Sequence, residues 1–94
     1  MINRNMRLLC MFDLPVATKA DRKNYTKFRA WLIKNGWFML QFSVYTKVAL
    51  NHDDAKKHTA RLDRNKPPKG SVRVLQITEK QFGAMTILVG EKTA

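Results

Sequence analysis

The 94-residue sequence has few acidic residues, one cysteine and no long apolar run. The single cysteine, Cys10, excludes an internal disulfide and a zinc site built from cysteines, and its apolar neighbours predict a small buried side chain. No stretch approaches the ~18–20 uninterrupted apolar residues of a membrane span, and the first residues lack the apolar core of a signal peptide. A chain of this size buries one core. We therefore expect one cytoplasmic domain over residues 1–94.

The charge is strongly one-sided. Eighteen Lys and Arg stand against seven Asp and Glu, so the formal net charge is +11, and the excess is spread along the chain. Such a surface attracts polyanions because binding releases their counterions. An anionic membrane is the rival partner, but it favours an amphipathic helix with an apolar face left free for lipid. We expect the partner to be nucleic acid.

The apolar pattern predicts alternating strands and helices. Thr18 and Asp21 form a capping-box pattern at the first helix, and Gly36 is its stop signal. Asn51 and Asp54 provide capping groups for the second helix. The predicted order is strand 6–13, helix 19–35, strand 37–40, a bend at 41–43, a strand ending at 50, a helix ending near 64, strand 71–78 and a short strand 86–89.

This order is the βαββαβ pattern of an α+β, ferredoxin-like fold with an additional C-terminal strand, in which both helices cover one face of an antiparallel sheet. The opposite face then has apolar side chains that nothing in the chain covers, so we expect a homodimer. The additional strand needs a sheet edge to pair with, and a partner's sheet would provide it. The same topology brings Asp13, the helix start at 19–23 and the loop 65–70 together.

Two interpretations of Asp13 are open from the sequence. It is a turn former at the end of a strand, or it is a ligand for a hard cation such as Mg²⁺, which takes oxygen ligands. Metal-dependent phosphodiester cleavage usually uses several acidic ligands, and no second acid lies near Asp13 in sequence. A dimer would present two copies. His52 and His58 do not share a helical face, and the four glycines form no phosphate-binding loop.

Several basic residues are candidates for phosphate binding, although a solvated surface is the alternative reading. Those at the start of the first helix add charge to backbone N–H groups that already favour anions, and those beside Pro67-Pro68 project from a stiff segment. For the large aromatic residues we expect mostly core packing, and the RNA-recognition signature is missing, so backbone contacts to a duplex are favoured. The candidate nucleic-acid ligands are Lys19, Arg22, Lys23, Lys66 and Lys69. The aromatic residues in question are Trp31, Trp37, Phe38 and Tyr45.

Three motifs carry a family resemblance: FDLP at 12–15, QFSVYTK at 41–47 and ITEKQF at 77–82. In this order, over nearly the whole chain, they resemble the second universal CRISPR-associated protein, the small subunit of the spacer-acquisition complex, in the form that accompanies single-effector type II systems. The resemblance implies a ferredoxin-like dimer in which a terminal strand, here Ile87, Leu88 and Val89, crosses to the partner's sheet.

The resemblance also implies a function. Such a dimer sits between two dimers of the larger CRISPR integrase subunit and supports the duplex of the captured prespacer DNA. Family members are also described as magnesium-dependent endonucleases of single-stranded RNA or double-stranded DNA, with the residue matching Asp13 as the catalytic, metal-binding aspartate. In several members nuclease activity is dispensable for spacer acquisition. The hypotheses are therefore a DNA-bridging subunit, a magnesium nuclease and, third, a toxin-like ribonuclease of the same architecture.

Overall fold

A computed structural model describes residues 5–91 and confirms the ferredoxin-like order. The strands at 6–13 and 71–78 have the predicted bounds, and the bounds of the two long helices and of the strands at 38–41 and 44–49 lie close to the predicted ones. Within residues 5–91, no helix is long and apolar enough to cross a membrane. The elements are β1 (Met6–Asp13), α1 (Lys19–Lys34), β2 (Phe38–Gln41), β3 (Val44–Ala49), α2 (His52–Arg64), β4 (Ser71–Thr78) and α3 (Glu79–Gly83).

The four strands form one antiparallel sheet in the order β2–β3–β1–β4. Strand β1 is central, with Met6 opposite Ala49 of β3 and Thr78 of β4. At its other end Asp13 lies opposite Ser71. Central position explains the composition of β1, because a strand flanked on both sides and buried on both faces has little room for polar side chains.

The core lies between the sheet and the two long helices. Alternate residues of β1 face the helices, and Phe12 packs edge-on against Phe28 of α1 with ring centroids 5.3 Å apart. Phe12 also stacks on Tyr45 at 5.7 Å, and Tyr45 and Trp37 are buried as predicted. Phe38 is 67% exposed, so it is not a core residue. The other members of this core include Met6, Leu8, Cys10, Leu32, Ala55 and Leu62.

The predicted helix ends are present. The Thr18 hydroxyl accepts a hydrogen bond from the Asp21 backbone N–H at 3.0 Å, and the Thr18 N–H donates to the Asp21 carboxylate at 3.2 Å. The Asn51 side chain accepts from the Asp54 N–H at 2.9 Å. Gly36 follows α1 with φ +84°, a left-handed conformation that glycine adopts without steric cost. Local hydrogen bonding therefore fixes where both long helices start.

The second sheet face differs from the prediction, because the chain covers part of it with α3. The Thr78 hydroxyl accepts from the Gln81 N–H at 3.0 Å, and the Thr78 N–H donates to the Gln81 side chain at 2.8 Å. This capping box starts a one-turn helix that buries Phe82. The interpretation that nothing in the chain covers this face was wrong where α3 lies against β1 and β4.

An ion pair between Glu79 of α3 and the buried Arg7 of β1 links α3 to the sheet. The Arg7 guanidinium binds both carboxylate oxygens of Glu79, with Nε to Oε2 at 3.0 Å, and lies 4.0 Å from the centre of the Phe82 ring. Arg7 is 7% exposed. Its hydrogen bond to Glu79 lowers the pKa of that carboxyl. Glu79 is the first residue of α3 and the partner of a buried cation.

The chain beyond α3 forms no strand within residues 85–91. The strand predicted at 86–89 is therefore not formed by the single chain, in which these residues have no neighbouring strand. Leu88 and Val89 are 89% and 94% exposed, and Phe38, Val48 and Leu75 are further exposed apolar residues. Pairing of Ile87, Leu88 and Val89 with a partner's sheet stays a prediction.

Candidate nucleic-acid interface

The end of β1 gathers four segments that are distant in sequence. The Phe12 N–H donates to the Ser43 carbonyl oxygen at 3.1 Å, which places the β2–β3 bend beside Asp13. A Cβ added at Gly70 would lie 2.6 Å from the Asp13 carbonyl oxygen, so the loop 65–70 touches the same point. The fourth segment is the start of α1. We call Asp13 with residues 18–23, 41–43 and 65–70 the Asp13 rim.

The loop 65–70 also meets the start of α1. Pro67 and Lys69 line a small crevice together with Pro15, Asp21 and Asn24. Asp21 is buried and bound to Thr18 by its capping hydrogen bonds, and the shared crevice places the first turn of α1 beside the loop. The predicted grouping of Asp13, the α1 start and the loop 65–70 is confirmed as a matter of position.

Three of the five predicted basic ligands are free. Lys19, Lys23 and Lys69 are exposed, and none forms an ion pair within residues 5–91. Free lysines at one rim concentrate positive potential, and none of the three lies within ion-pair distance of a carboxylate in the described part of the chain. These three side chains are therefore available to phosphate groups.

The other two basic residues already have partners. Arg22 Nη1 donates to the carbonyl oxygens of Val16 and Ala17, each at 3.1 Å, and so supports the turn that leads into α1. Lys66 Nζ lies 2.9 Å from the Asp63 carboxylate, and its hydrogen bond lowers the pKa of Asp63. Both pairs are exposed, and such pairs exchange readily with solvent and ions. Arg22 and Lys66 contribute to the rim's charge but are less free than the three lysines.

Asp13 lines an open cleft of about 460 Å³ between α1 and the β2–β3 bend. The cleft also has an arginine, Arg29, which the sequence did not single out. Arg29 Nε donates to the Tyr45 hydroxyl at 3.0 Å, and this hydrogen bond raises the pKa of Arg29. Tyr25 and Phe42 complete the aromatic walls. Only the tertiary contact reveals Arg29, because its position on an exposed helical row resembles that of any solvated cation.

The donor set suits a magnesium ion only in part. Asp13 is exposed at the end of β1, and a carboxylate is a ligand that Mg²⁺ accepts. Within residues 5–91 there is no group of three or more His, Cys, Asp or Glu that would hold a metal. Mg²⁺ often binds through one or two carboxylates together with waters and substrate phosphates. Asp13 therefore fits as one ligand of a shared site rather than as a complete site.

Fold, charge and rim together define a class: a small ferredoxin-like protein with a basic surface beside one exposed strand-end carboxylate. The comparison with protein families then gives the particular family. Residues 6–85 match the model of "CRISPR associated protein Cas2", and the chain belongs to this family.

Relatives with this family name are similar over most of their length. The chain is 55% identical over 85 residues to the CRISPR-associated endoribonuclease Cas2 of Acidovorax ebreus (strain TPSY), covering 90% of this chain and 83% of the relative. It is 48% identical over 86 residues to that of Treponema denticola, covering 92% and 85%. It is 47% identical over 87 residues to that of Streptococcus mutans serotype c (strain UA159), covering 93% and 80%. The resemblance stated from the three motifs is confirmed.

Proposed function

We propose that this chain is the small subunit of a CRISPR spacer-acquisition complex, in which a homodimer binds the backbone of prespacer double-stranded DNA and bridges two dimers of the larger integrase subunit. Family membership supports the CRISPR context. The observation that carries the DNA-binding part is the grouping of free lysines at the Asp13 rim. Two copies that join through the partly uncovered sheet face would bring two such rims into one assembly.

Binding at the rim predicts a strong dependence on salt. Removal of one phosphate-binding side chain should reduce the slope of log K against log salt by about 0.9 for duplex DNA. Replacing Lys19, Lys23 and Lys69 with Gln should therefore flatten the slope by up to about 2.7 per protomer. The measurement is fluorescence anisotropy with a blunt duplex over a range of NaCl concentrations.

A charge-matched control separates the rim from net charge. Lys34, Lys56 and Lys80 are exposed and lie toward the opposite end of the sheet, near the start of β1. Their triple Gln variant has the same net charge as the rim variant, and we expect it to keep the wild-type slope apart from a small uniform loss of affinity. Equal slopes for the two triple variants would mean that binding follows total charge and that the rim has no special part.

A metal-dependent endonuclease acting on its own is the second candidate. It is supported by the printed name of the relatives, endoribonuclease, and by the exposed Asp13 carboxylate in an open cleft. Asp13 would hold Mg²⁺, which when bound supplies a Lewis acid for phosphodiester hydrolysis. The rim lysines and Arg29 would position the strand through its phosphates. RNA and DNA are both substrates to be tried.

The two functions respond differently to loss of one carboxylate. Asp13→Ala should abolish magnesium-dependent cleavage while duplex binding is kept or improved, because a negative charge leaves the basic rim. Asp53→Ala, at an exposed acid of the α2 start, is the matched control and should change neither. Cleavage by the Asp13→Ala protein would refute the nuclease assignment. Failure of that protein to support spacer integration, with DNA binding intact, would make catalysis part of the main function.

A further inference from the structure

The cleft beside Asp13 has a feature that duplex binding leaves unexplained: a large aromatic side chain exposed at a fixed position. Phe42 lines the cleft and is 79% exposed. The bend that presents it is held by the Phe12 N–H to Ser43 carbonyl hydrogen bond, and Ser43 has φ 65°, a left-handed conformation that is uncommon for a non-glycine residue. Exposed aromatic side chains on a rigid element are the usual stacking platforms for unpaired bases.

The same cleft has a positioned cation. Arg29 uses Nε to bind the Tyr45 hydroxyl, and Tyr45 is itself 1% exposed and stacked on Phe12. Within residues 5–91 Arg29 forms no ion pair with a carboxylate. The guanidinium N–H groups beyond Nε are thus directed by a buried anchor and are free for an anion, and their fork geometry matches a phosphate.

Size and wall chemistry agree with one nucleotide unit. Sites for small ligands have volumes of roughly 300–1,000 Å³, with mostly apolar walls and a few polar groups, and this cleft has about 460 Å³. Tyr25 and Phe42 provide the aromatic wall, and Asp13 and Arg29 provide the charges. A base in a duplex is stacked on both sides and cannot enter such a cleft, whereas an unpaired base can.

We propose that this cleft binds one unpaired nucleotide of a nucleic-acid strand, with its base on Phe42 and a flanking phosphate on Arg29. The inference rests on the proposed function, since it takes the rim as the nucleic-acid-binding surface, and it adds a preference of that surface for strands with an overhang or a single-stranded region. Asp13 then lies beside the backbone of the unpaired nucleotide.

The test compares two DNA ligands that have one strand of the same length. A full-length complement makes the first a blunt duplex, and a shorter complement leaves the second with a single-stranded 3′ overhang that contains 2-aminopurine. Phe42→Leu should weaken the overhang ligand by about 5- to 150-fold, the range expected for one stacked base, and should weaken the blunt duplex, which offers no unpaired base, much less. Phe42→Trp should retain overhang binding and quenching of 2-aminopurine fluorescence. Phe38→Leu is the matched control, because Phe38 is also exposed but does not line the cleft.

Arg29 is tested separately through salt. Arg29→Met keeps the aliphatic stem and should reduce the salt slope with a single-stranded oligonucleotide by about 0.7, the value for one phosphate contact of a single strand. The slope with the blunt duplex should fall by clearly less than this. An equal fall for both ligands would overturn the assignment of Arg29 to the unpaired nucleotide.

The outcomes distinguish this inference from the proposed function. If wild-type protein binds the blunt duplex but Phe42→Leu binds the overhang as wild type does, the cleft inference fails and duplex binding stands. Equal losses for Phe42→Leu and Phe38→Leu would also overturn it. If Phe42→Leu loses both ligands and becomes monomeric in light scattering, Phe42 is an interface residue and the nucleotide site is refuted. If wild-type protein binds neither ligand, the proposed function itself is refuted.

Discussion

The pair between Arg7 and Glu79 should be a major stabilising contact, and Glu79→Gln tests this. Glutamine keeps the shape and one acceptor oxygen but removes the charge that both guanidinium hydrogen bonds use. Hydrogen bonds to charged groups contribute about 1.5–3 kcal/mol each. The glutamine oxygen keeps one of the two hydrogen bonds in weakened form, so we expect the free energy of unfolding to fall by about 2 kcal/mol. For a domain of this size that is a fall in Tm of roughly 8–16 °C.

Urea and thermal unfolding at one fixed protein concentration measure the effect, since the apparent stability of the proposed dimer would depend on concentration. Asp63→Asn is the control: its ion pair with Lys66 is largely exposed to solvent, and we expect no measurable change. A fall for Glu79→Gln no larger than that for Asp63→Asn would refute the reasoning that burial of Arg7 makes this contact strong.

The same pair predicts a pH dependence. The folded pKa of Glu79 is lowered from its ordinary value of 4.5, so its contribution is present above that value and is lost as the pH falls through the lower folded pKa. The difference in stability between wild type and Glu79→Gln should therefore be constant at neutral pH and shrink below about pH 4.5. A difference that grows in acid would contradict the sign of the shift.

Three further changes test other contacts. Gly70→Ala should destabilise the fold by about 2 kcal/mol in urea unfolding, because Gly70 has φ +93° and a Cβ there would lie 2.6 Å from the Asp13 carbonyl oxygen; unchanged stability would mean that the loop moves away freely. Burial raises the pKa of Cys10 to about 12, so at pH 8 about one thiol in 10⁴ is ionised and iodoacetamide should label Cys10 only on unfolding; rapid labelling of the native protein would contradict its burial. Lys47→Met should cost about 1 kcal/mol, because Lys47 Nζ donates to the Asn35 carbonyl oxygen at the end of α1 at 2.9 Å; thermal unfolding with Lys34→Met as control decides it.

Local signals predicted most of the fold. The capping box of Thr18 and Asp21, the stop at Gly36 and the alternation in β1 are short-range features whose physical cause lies within a few residues. The position of Asp13 beside the loop 65–70 followed from topology, because a βαββαβ order fixes which strand ends meet. These parts of the candidate site could therefore be predicted from the chain alone.

The features missed depend on tertiary contacts. Glu79 and Arg7 are 72 residues apart, and no local pattern pairs them. The same holds for Arg29, whose role in the cleft depends on the buried Tyr45 hydroxyl. The α3 helix is different: Thr78 and Gln81 have the capping-box spacing, so a sequence signal was present. A single turn of helix has no apolar periodicity, so the capping pattern alone does not predict it.

The DNA-bridging role is tested most directly by the mass of a complex in solution. Purified protein is mixed with the larger integrase subunit and a short prespacer-like duplex, and the mixture is analysed by size-exclusion chromatography with light scattering. A dimer of this chain held between two integrase dimers on one duplex is the expected result, with loss of the duplex when Lys19, Lys23 and Lys69 are replaced by Gln. A lone protomer that binds neither integrase nor duplex at low ionic strength would contradict the proposed function.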